Sequence, residues 1–184
     1  FGRRAGAGAA AYAQGLSSQP QPNDAEIEAE TRAVLAPFDR GAGESPYEVH
    51  RALQDCMDRL VGIYRIQADL DVAIVELQKL KARAAAVRVE GTRMFNPGWH
   101  LARDLQNMIL VSQAITRSAA LRKESRGVHS RPDHTGFDPA LGQVNHCVTR
   151  GTDGMHVAAT PLPQMPAELR QLFDAARPKQ EAAR

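Results

Sequence analysis

The chain has 184 residues, 23 of them lysine or arginine and 21 aspartate or glutamate, for a net charge of +2. That length suits one domain with a real core and an appendage, and the near balance of charge excludes the clustered positive excess of a nucleic-acid footprint, so no nucleic-acid partner is expected. Cys56 and Cys147 lie far apart without a CxxC neighbour, which indicates neither a zinc site nor a disulfide framework and fits a reducing compartment.

The first residues, FGRRAGAGAAAYAQG, read as helix, yet no Ser, Thr, Asp or Asn precedes them as an N-cap. With no methionine at position 1 either, the chain is expected to be a piece of a longer polypeptide. The small residues Gly2, Ala5, Gly6, Ala9 and Ala10 point to a helix lying close against another element. No strand precedes them, and neither the dinucleotide nor the P-loop spacing is met. Residues 17–23, SSQPQPN, form a polar linker, and a short acidic helix should follow from Asp24 until Pro37 stops it.

A second loop at Gly41 and Gly43 leads to Ser45-Pro46-Tyr47-Glu48, a capping box with proline at the first helical position. In that motif the Ser45 oxygen accepts from the Glu48 amide. The helix it opens carries Val49, Leu53, Cys56 or Met57, Leu60 and Ile63 or Tyr64 at steps of three and four. A second stripe, Leu70, Ile74, Leu77, Leu80, Ala84 and Val87, predicts a helix over about 69–88. After the loop 90–95, Asn96-Pro97 again pairs a cap with a first-turn proline. The helix beyond it has Leu101, Leu105, Met108, Ile115 and Ala119 on one face with Ala102, Ile109 and Ala120 alongside, and Gly127 as its natural C-terminal residue.

Three helices of about 20 to 28 residues joined by short loops predict an antiparallel three-helix bundle of spectrin-repeat type. Four histidines, His129, His134, His146 and His156, fall in the last third near Asp133 and Asp138. Strand-like residues flank 151–154, where Asp-Gly signals a hairpin. A two-residue loop there sets His146 opposite Ala159 and His156 opposite Thr149, on opposite faces, where they cannot share an ion. The expected fold is therefore mainly α with a small C-terminal β-hairpin, a last short helix over 167–176 and fraying from Pro178. No membrane span is expected, since no apolar run approaches the roughly 20 residues required, and no signal-peptide pattern is present.

The run RKESRGVHSR sets Arg122, Glu124, Ser125, Arg126, His129 and Arg131 together at the end of the third bundle helix. By residue type it reads equally as a docking patch or as a solvated cap favoured by the helix dipole. The longer stretch NMILVSQAITRSAALRKESRGVHSRPDH resembles the end of the helical domain in the flavoprotein subunits of succinate dehydrogenase and fumarate reductase, where a long helix runs into E-S-R-G-A-H and Arg-x-Asp. SPYEVHRALQDCMDRLVGIYR resembles the first bundle helix of that family, and FGRRAGAGAA the helix leaving its flavin domain. Val128 stands where the family has alanine, and His134-Thr135 where many members have an aromatic followed by proline.

The resemblance implies four regions. Residues 1–16 would be a terminal helix of the flavin domain, 17–44 a linker with a short helix, 45–127 the bundle, and 128–184 an extension with the hairpin. It also implies FAD bound by a missing N-terminal part of the same polypeptide, an iron-sulfur partner subunit carrying the clusters, and through it a membrane anchor and quinone. Catalysis would be hydride transfer between succinate or fumarate and flavin. The location implied is the cytoplasmic face of a bacterial inner membrane or the matrix side of the mitochondrial one. No catalytic, cofactor-binding or metal residue is assigned to this chain, and the six residues of the charged run are expected to be a docking corner. L-aspartate oxidase shares the E-S-R-G-x-H run and is the alternative within the superfamily. A free-standing three-helix interaction module is the alternative outside it.

Overall fold

The computed structural model of the chain describes residues 1–152 and 154–176. The fraying expected from Pro178 and the Asp153 position of the hairpin turn lie outside them. Helix α1 (Gly2–Gln14) is exposed along its whole length. Helix α2 (Asp24–Asp39) is capped by Asn23, whose side chain accepts from the Ala25 and Glu26 amides. It continues past Pro37 instead of stopping there. Because Pro37 sits in the last turn, its ring withholds only the one N–H that would have reached back four residues. The Pro37 carbonyl instead accepts from the Val89 amide at 2.9 Å.

The bundle consists of α3 (Pro46–Val61), α4 (Gln67–Ala85) and α5 (Pro97–Leu121), each packed on the other two. Their lengths are 16, 19 and 25 residues, so two of them are shorter than expected. The capping box also differs from its sequence reading. The Ser45 hydroxyl accepts from the Tyr47 amide at 3.3 Å, and the Glu48 amide goes to the Ser45 carbonyl at 3.1 Å.

The stripes do form the core. Val49, Leu70, Leu77 and Leu105 are fully enclosed, with Leu53, Cys56, Leu80, Ala84, Ala102, Ile109 and Ala119 packed around them. Ile63 and Tyr64 leave the stripe because α3 has already ended at Val61, and both are exposed. Ala73 takes the buried place expected of its neighbour Ile74. On α5 the buried face includes Ser112, Gln113 and Thr116. Thr116 is tolerated there because its hydroxyl donates to the Ser112 carbonyl at 2.8 Å, within its own helix. α2 rests on the bundle through Trp99, which stacks obliquely on Phe38 and donates its indole N–H to the Val34 carbonyl at 2.8 Å.

After a 3-10 turn at Leu141–Gln143, β1 (Val144–Gly151) and β2 (Gly154–Pro161) pair antiparallel, with Gly151 opposite Gly154. That is the predicted register, with His146 facing Ala159 and His156 facing Thr149. The face bearing His146, Val148, Arg150, Met155 and Val157 turns toward α5, whose Arg117 donates to the Met155 carbonyl at 3.2 Å. Helix α6 (Ala167–Ala176) follows.

Candidate functional site

The charged run does not prolong α5. The helix ends at Leu121, and Arg122 is already extended, with φ −87° and ψ 90°. Gly127 is therefore not the residue that terminates the helix. It does adopt the left-handed conformation, φ 59°, in a tight turn that the Arg126 and His129 backbones close with a pair of hydrogen bonds, 2.9 and 3.1 Å. Once the backbone is extended, residues two apart point to the same side. Arg122, Glu124 and Arg126 consequently converge.

Glu124 is fully buried and every lone-pair direction is used. Its Oε1 accepts from Arg122 Nη1 at 2.6 Å and Arg126 Nε at 2.9 Å, while Oε2 accepts from Arg126 Nη2 at 3.0 Å and the Asp138 amide at 2.9 Å. The Arg126 guanidinium, seconded by the Asp138 amide and Arg122, holds the Glu124 carboxyl down at about 2 in spite of its burial. Arg122 also donates to the Leu141 and Val144 carbonyls, both at 3.0 Å, which ties the end of α5 to the start of the hairpin. Arg126 reaches the Asp138 carbonyl and lies over the Phe137 ring, 5.1 Å from its centroid.

Arg131 is the largest fully buried side chain among the described residues. All five of its guanidinium hydrogens are engaged. Nε and Nη2 grip the Asp133 carboxylate, both at 2.8 Å; Nη1 donates to the Ala119 carbonyl at 3.0 Å and the Arg122 carbonyl at 3.3 Å; and Nη2 also reaches Gln67 Oε1 at 3.1 Å. The Ala119 and Arg122 carbonyls are groups that the end of α5 leaves without an intrahelical partner. The residue that precedes α4, Ile66, offers no side chain to cap it. Asp133 supplies the missing acceptor, taking the Gln67 amide at 2.8 Å. The grip of Arg131, with the Gln67 amide, pushes the Asp133 carboxyl well below the usual carboxylate range.

His129 is half-buried between Arg65 and the end of α5. Its Nδ1 lies 2.9 Å from Arg65 Nη1 and its Nε2 3.0 Å from the Arg122 carbonyl. An arginine can only donate and a carbonyl only accept, so the ring is neutral with its hydrogen on Nε2. Burial, reinforced by the Arg65, Arg131 and Arg122 charges, pushes its pKa below the ordinary histidine value. Both nitrogens are occupied, which leaves no lone pair for an ion. Ser125 Oγ accepts from the Arg131 amide at 2.9 Å and lies 3.0 Å from the His134 carbonyl, fixing the turn in which the His134 amide donates to the Arg131 carbonyl.

All six expected residues are thus brought into one network, and they fasten α4, α5 and the hairpin to one another. Arg65 and Gln67 escaped the sequence reading, and Asp133 and Asp138 entered it only as neighbours of the histidines and, for Asp133, through the Arg-x-Asp of the resemblance, not as partners in this network. The Arg131-x-Asp133 spacing carried a signal for one of them, since it repeats the i, i+2 pairing of Arg122, Glu124 and Arg126. The family described as "Fumarate reductase flavoprotein C-term" matches residues 50–172, which include this whole corner and both strands. The chain belongs to that family.

Two curated members and one solved structure illustrate the relationship. The fumarate reductase flavoprotein subunit of Mycobacterium tuberculosis is 29% identical over 161 residues, covering 84% of this chain and 28% of its own length. The succinate dehydrogenase flavoprotein subunit of Coxiella burnetii is 33% identical over 124 residues, 67% of this chain and 21% of that protein. Mycobacterium smegmatis Sdh1, solved in complex with UQ1, superposes with a TM-score of 0.87 at 41% identity, covering 98% of this chain and 31% of that one. The chain therefore spans less than a third of the length of these relatives.

Family membership implies FAD, and the described residues do not fit it. A dinucleotide needs a glycine-rich turn from a parallel strand into a helix. The described strands are a single antiparallel pair that follows the bundle, so no residue here is assigned to the flavin and no step is routed through it. Among the described residues no helix is long and apolar enough to cross a membrane.

Proposed function

We propose that the chain is the C-terminal helical domain of the flavin-bearing subunit of a succinate dehydrogenase or fumarate reductase. Its part in succinate-fumarate interconversion is structural. The buried network holds the 124–131 corner rigid, and the corner docks on the flavin domain or on the iron-sulfur subunit. What supports this reading is the contrast within the corner: the charges of Glu124 and Arg131 are consumed internally, whereas the adjoining Val128, Tyr64 and Phe137 are 88%, 75% and 73% exposed. The segment of Tyr64 runs beside Ser130 as a bridge, so these side chains belong to one corner. Bulky apolar groups clustered in water mark a surface that another protein covers.

On this reading the exposed α1 packs on the flavin domain. FAD resides in the rest of the flavoprotein, clusters reside in the iron-sulfur partner, and the quinone and membrane anchor are reached only through that partner. The assembly sits at the inner face of a bacterial or mitochondrial inner membrane without a span contributed by the described helices.

The test uses the full-length flavoprotein coexpressed with its partner. Val128→Asp and Arg126→Ala should lower the yield of assembled, flavin-loaded complex while turnover per bound flavin stays unchanged. A fall in turnover per flavin with assembly intact would make the corner part of the active site. If neither quantity moves, the network serves only the internal stability of the chain and the docking role is wrong.

A further inference from the structure

Between α5 and the tip of the hairpin runs a groove of about 860 Å³, within the roughly 300 to 1,000 Å³ of ligand-binding clefts. It uses none of the residues of the docking corner. We propose that this groove docks an extended acidic segment of a partner protein, one that alternates a carboxylate with an aliphatic side chain.

Charge is the first reason. Lys81, Arg117 and Arg150 line the groove, and among the described residues no aspartate or glutamate lines it and none of the three cations is paired with a carboxylate. Arg117 makes one hydrogen bond, to the Met155 carbonyl. The second reason is apolar surface. Leu110, Val111 and Val148 are 53%, 57% and 41% exposed along the same groove. A free anion would leave them wet, and an aliphatic strand without charge would desolvate three cations for nothing in return.

The third reason is Gln113. It is only 6% exposed and lines the groove, yet its Nε2 finds no acceptor among the described residues. A buried amide donor without a partner is costly, and rotation of the Gln113 side chain toward the groove would let a carboxylate or peptide carbonyl laid there supply the acceptor. The spacing agrees with an extended occupant. Val148 and Arg150 lie two residues apart on the hairpin face turned toward α5, and the residues of an extended peptide that share a face repeat at the same interval. A segment of the form Leu-x-Asp-x-Leu therefore presents its alternating groups in step with the hairpin.

The experiment is fluorescence anisotropy of the labelled peptide Leu-Ser-Asp-Ser-Leu-Ser-Glu titrated with the 184-residue chain. Saturable binding that weakens with salt is expected. Arg150→Glu, at an exposed position, should weaken it about tenfold or more. Gln113→Met should weaken binding without lowering the unfolding midpoint, because it removes a donor that has no partner in the free chain. The proposal fails if binding does not saturate, if a peptide with serine in place of each leucine binds equally well, or if both variants bind like the parent. It also fails if sedimentation shows that the chain self-associates and Arg150→Glu separates the copies, since the occupant would then be a second copy.

Discussion

Replacing Arg131 with alanine tests whether the corner is held by its buried cation. The substitution deletes five N–H donors, all of them used. The Ala119 carbonyl is left buried and unpaired, which costs about 1 to 3 kcal/mol. Asp133 loses the clamp that aims it at the Gln67 amide, and a lost helix cap costs about 1 kcal/mol. Asp133 itself is 27% exposed, so water screens the charge left behind and little is added for it. With the emptied volume included, the sum is about 3 to 5 kcal/mol, the range seen when one partner of a buried ion pair is removed. At about 2 to 4 °C per kcal/mol for a chain of this size, the melting temperature should drop by roughly 6 to 20 °C.

Urea unfolding followed by far-UV circular dichroism measures it, with an unchanged m value confirming that stability alone has moved. Arg131→Lys should recover only a minor part, because an ammonium cannot grip a carboxylate with two parallel bonds while reaching two carbonyls and an amide oxygen. A loss below about 1 kcal/mol in Arg131→Ala, which is the level of an exposed pair, would refute the reasoning.

Gly127→Ala should destabilise the chain by about 1 kcal/mol, purely through the left-handed backbone, since an added Cβ there meets nothing within 4 Å; Gly127→Asn should cost less, and equal losses for the two would be inconsistent with this cause. Stability should fall in two stages as pH drops. His129 and His146 are both pushed below their ordinary 6.5, so the unfolded chain takes up protons first and stability declines from about that pH downward. Glu124 and Asp133 are held below their ordinary 4.5 and 3.8, so their contribution is complete above those values and is lost as pH falls further, that of Glu124 toward about pH 2 and that of Asp133 below it. His129→Gln should flatten the upper stage in part, and a stability profile level down to about pH 5 would contradict the assignment. Deleting residues 1–18 should leave the urea midpoint of the remainder in place, because no residue of α1 is buried; loss of cooperative unfolding would show that α1 belongs to the bundle.

The bundle was legible because burial in a helix needs only a stripe, and the stripes of Val49, Leu53, Leu70, Leu77, Leu105 and Ile109 are written at steps of three and four. The hairpin register followed from one turn. The end of α5 was not legible, because six polar residues at a helix terminus look alike whether water or protein surrounds them. What decides is Arg131, whose demand for the Ala119 carbonyl is a tertiary contact. Ser112, Gln113 and Thr116 were passed over because a stripe drawn from apolar residues omits polar ones that turn inward on the same helix. Glu124 was the harder case: a carboxylate reads as exposed until the two arginines at i±2 are seen to share its side of an extended segment.

The capping of α4 by Asp133 joins residues 66 positions apart. A ribosome adds roughly 5 to 20 residues per second, so this separation corresponds to about 3 to 13 s of synthesis. During that interval the second bundle helix is completed while its start stays unlatched, and the arginine that will bind the end of the third is made only at its close. Newly made chains therefore complete the bundle in a late step that waits on Arg131 and Asp133, and any nascent chain halted before them exposes a bundle that can pair its helices but cannot lock them.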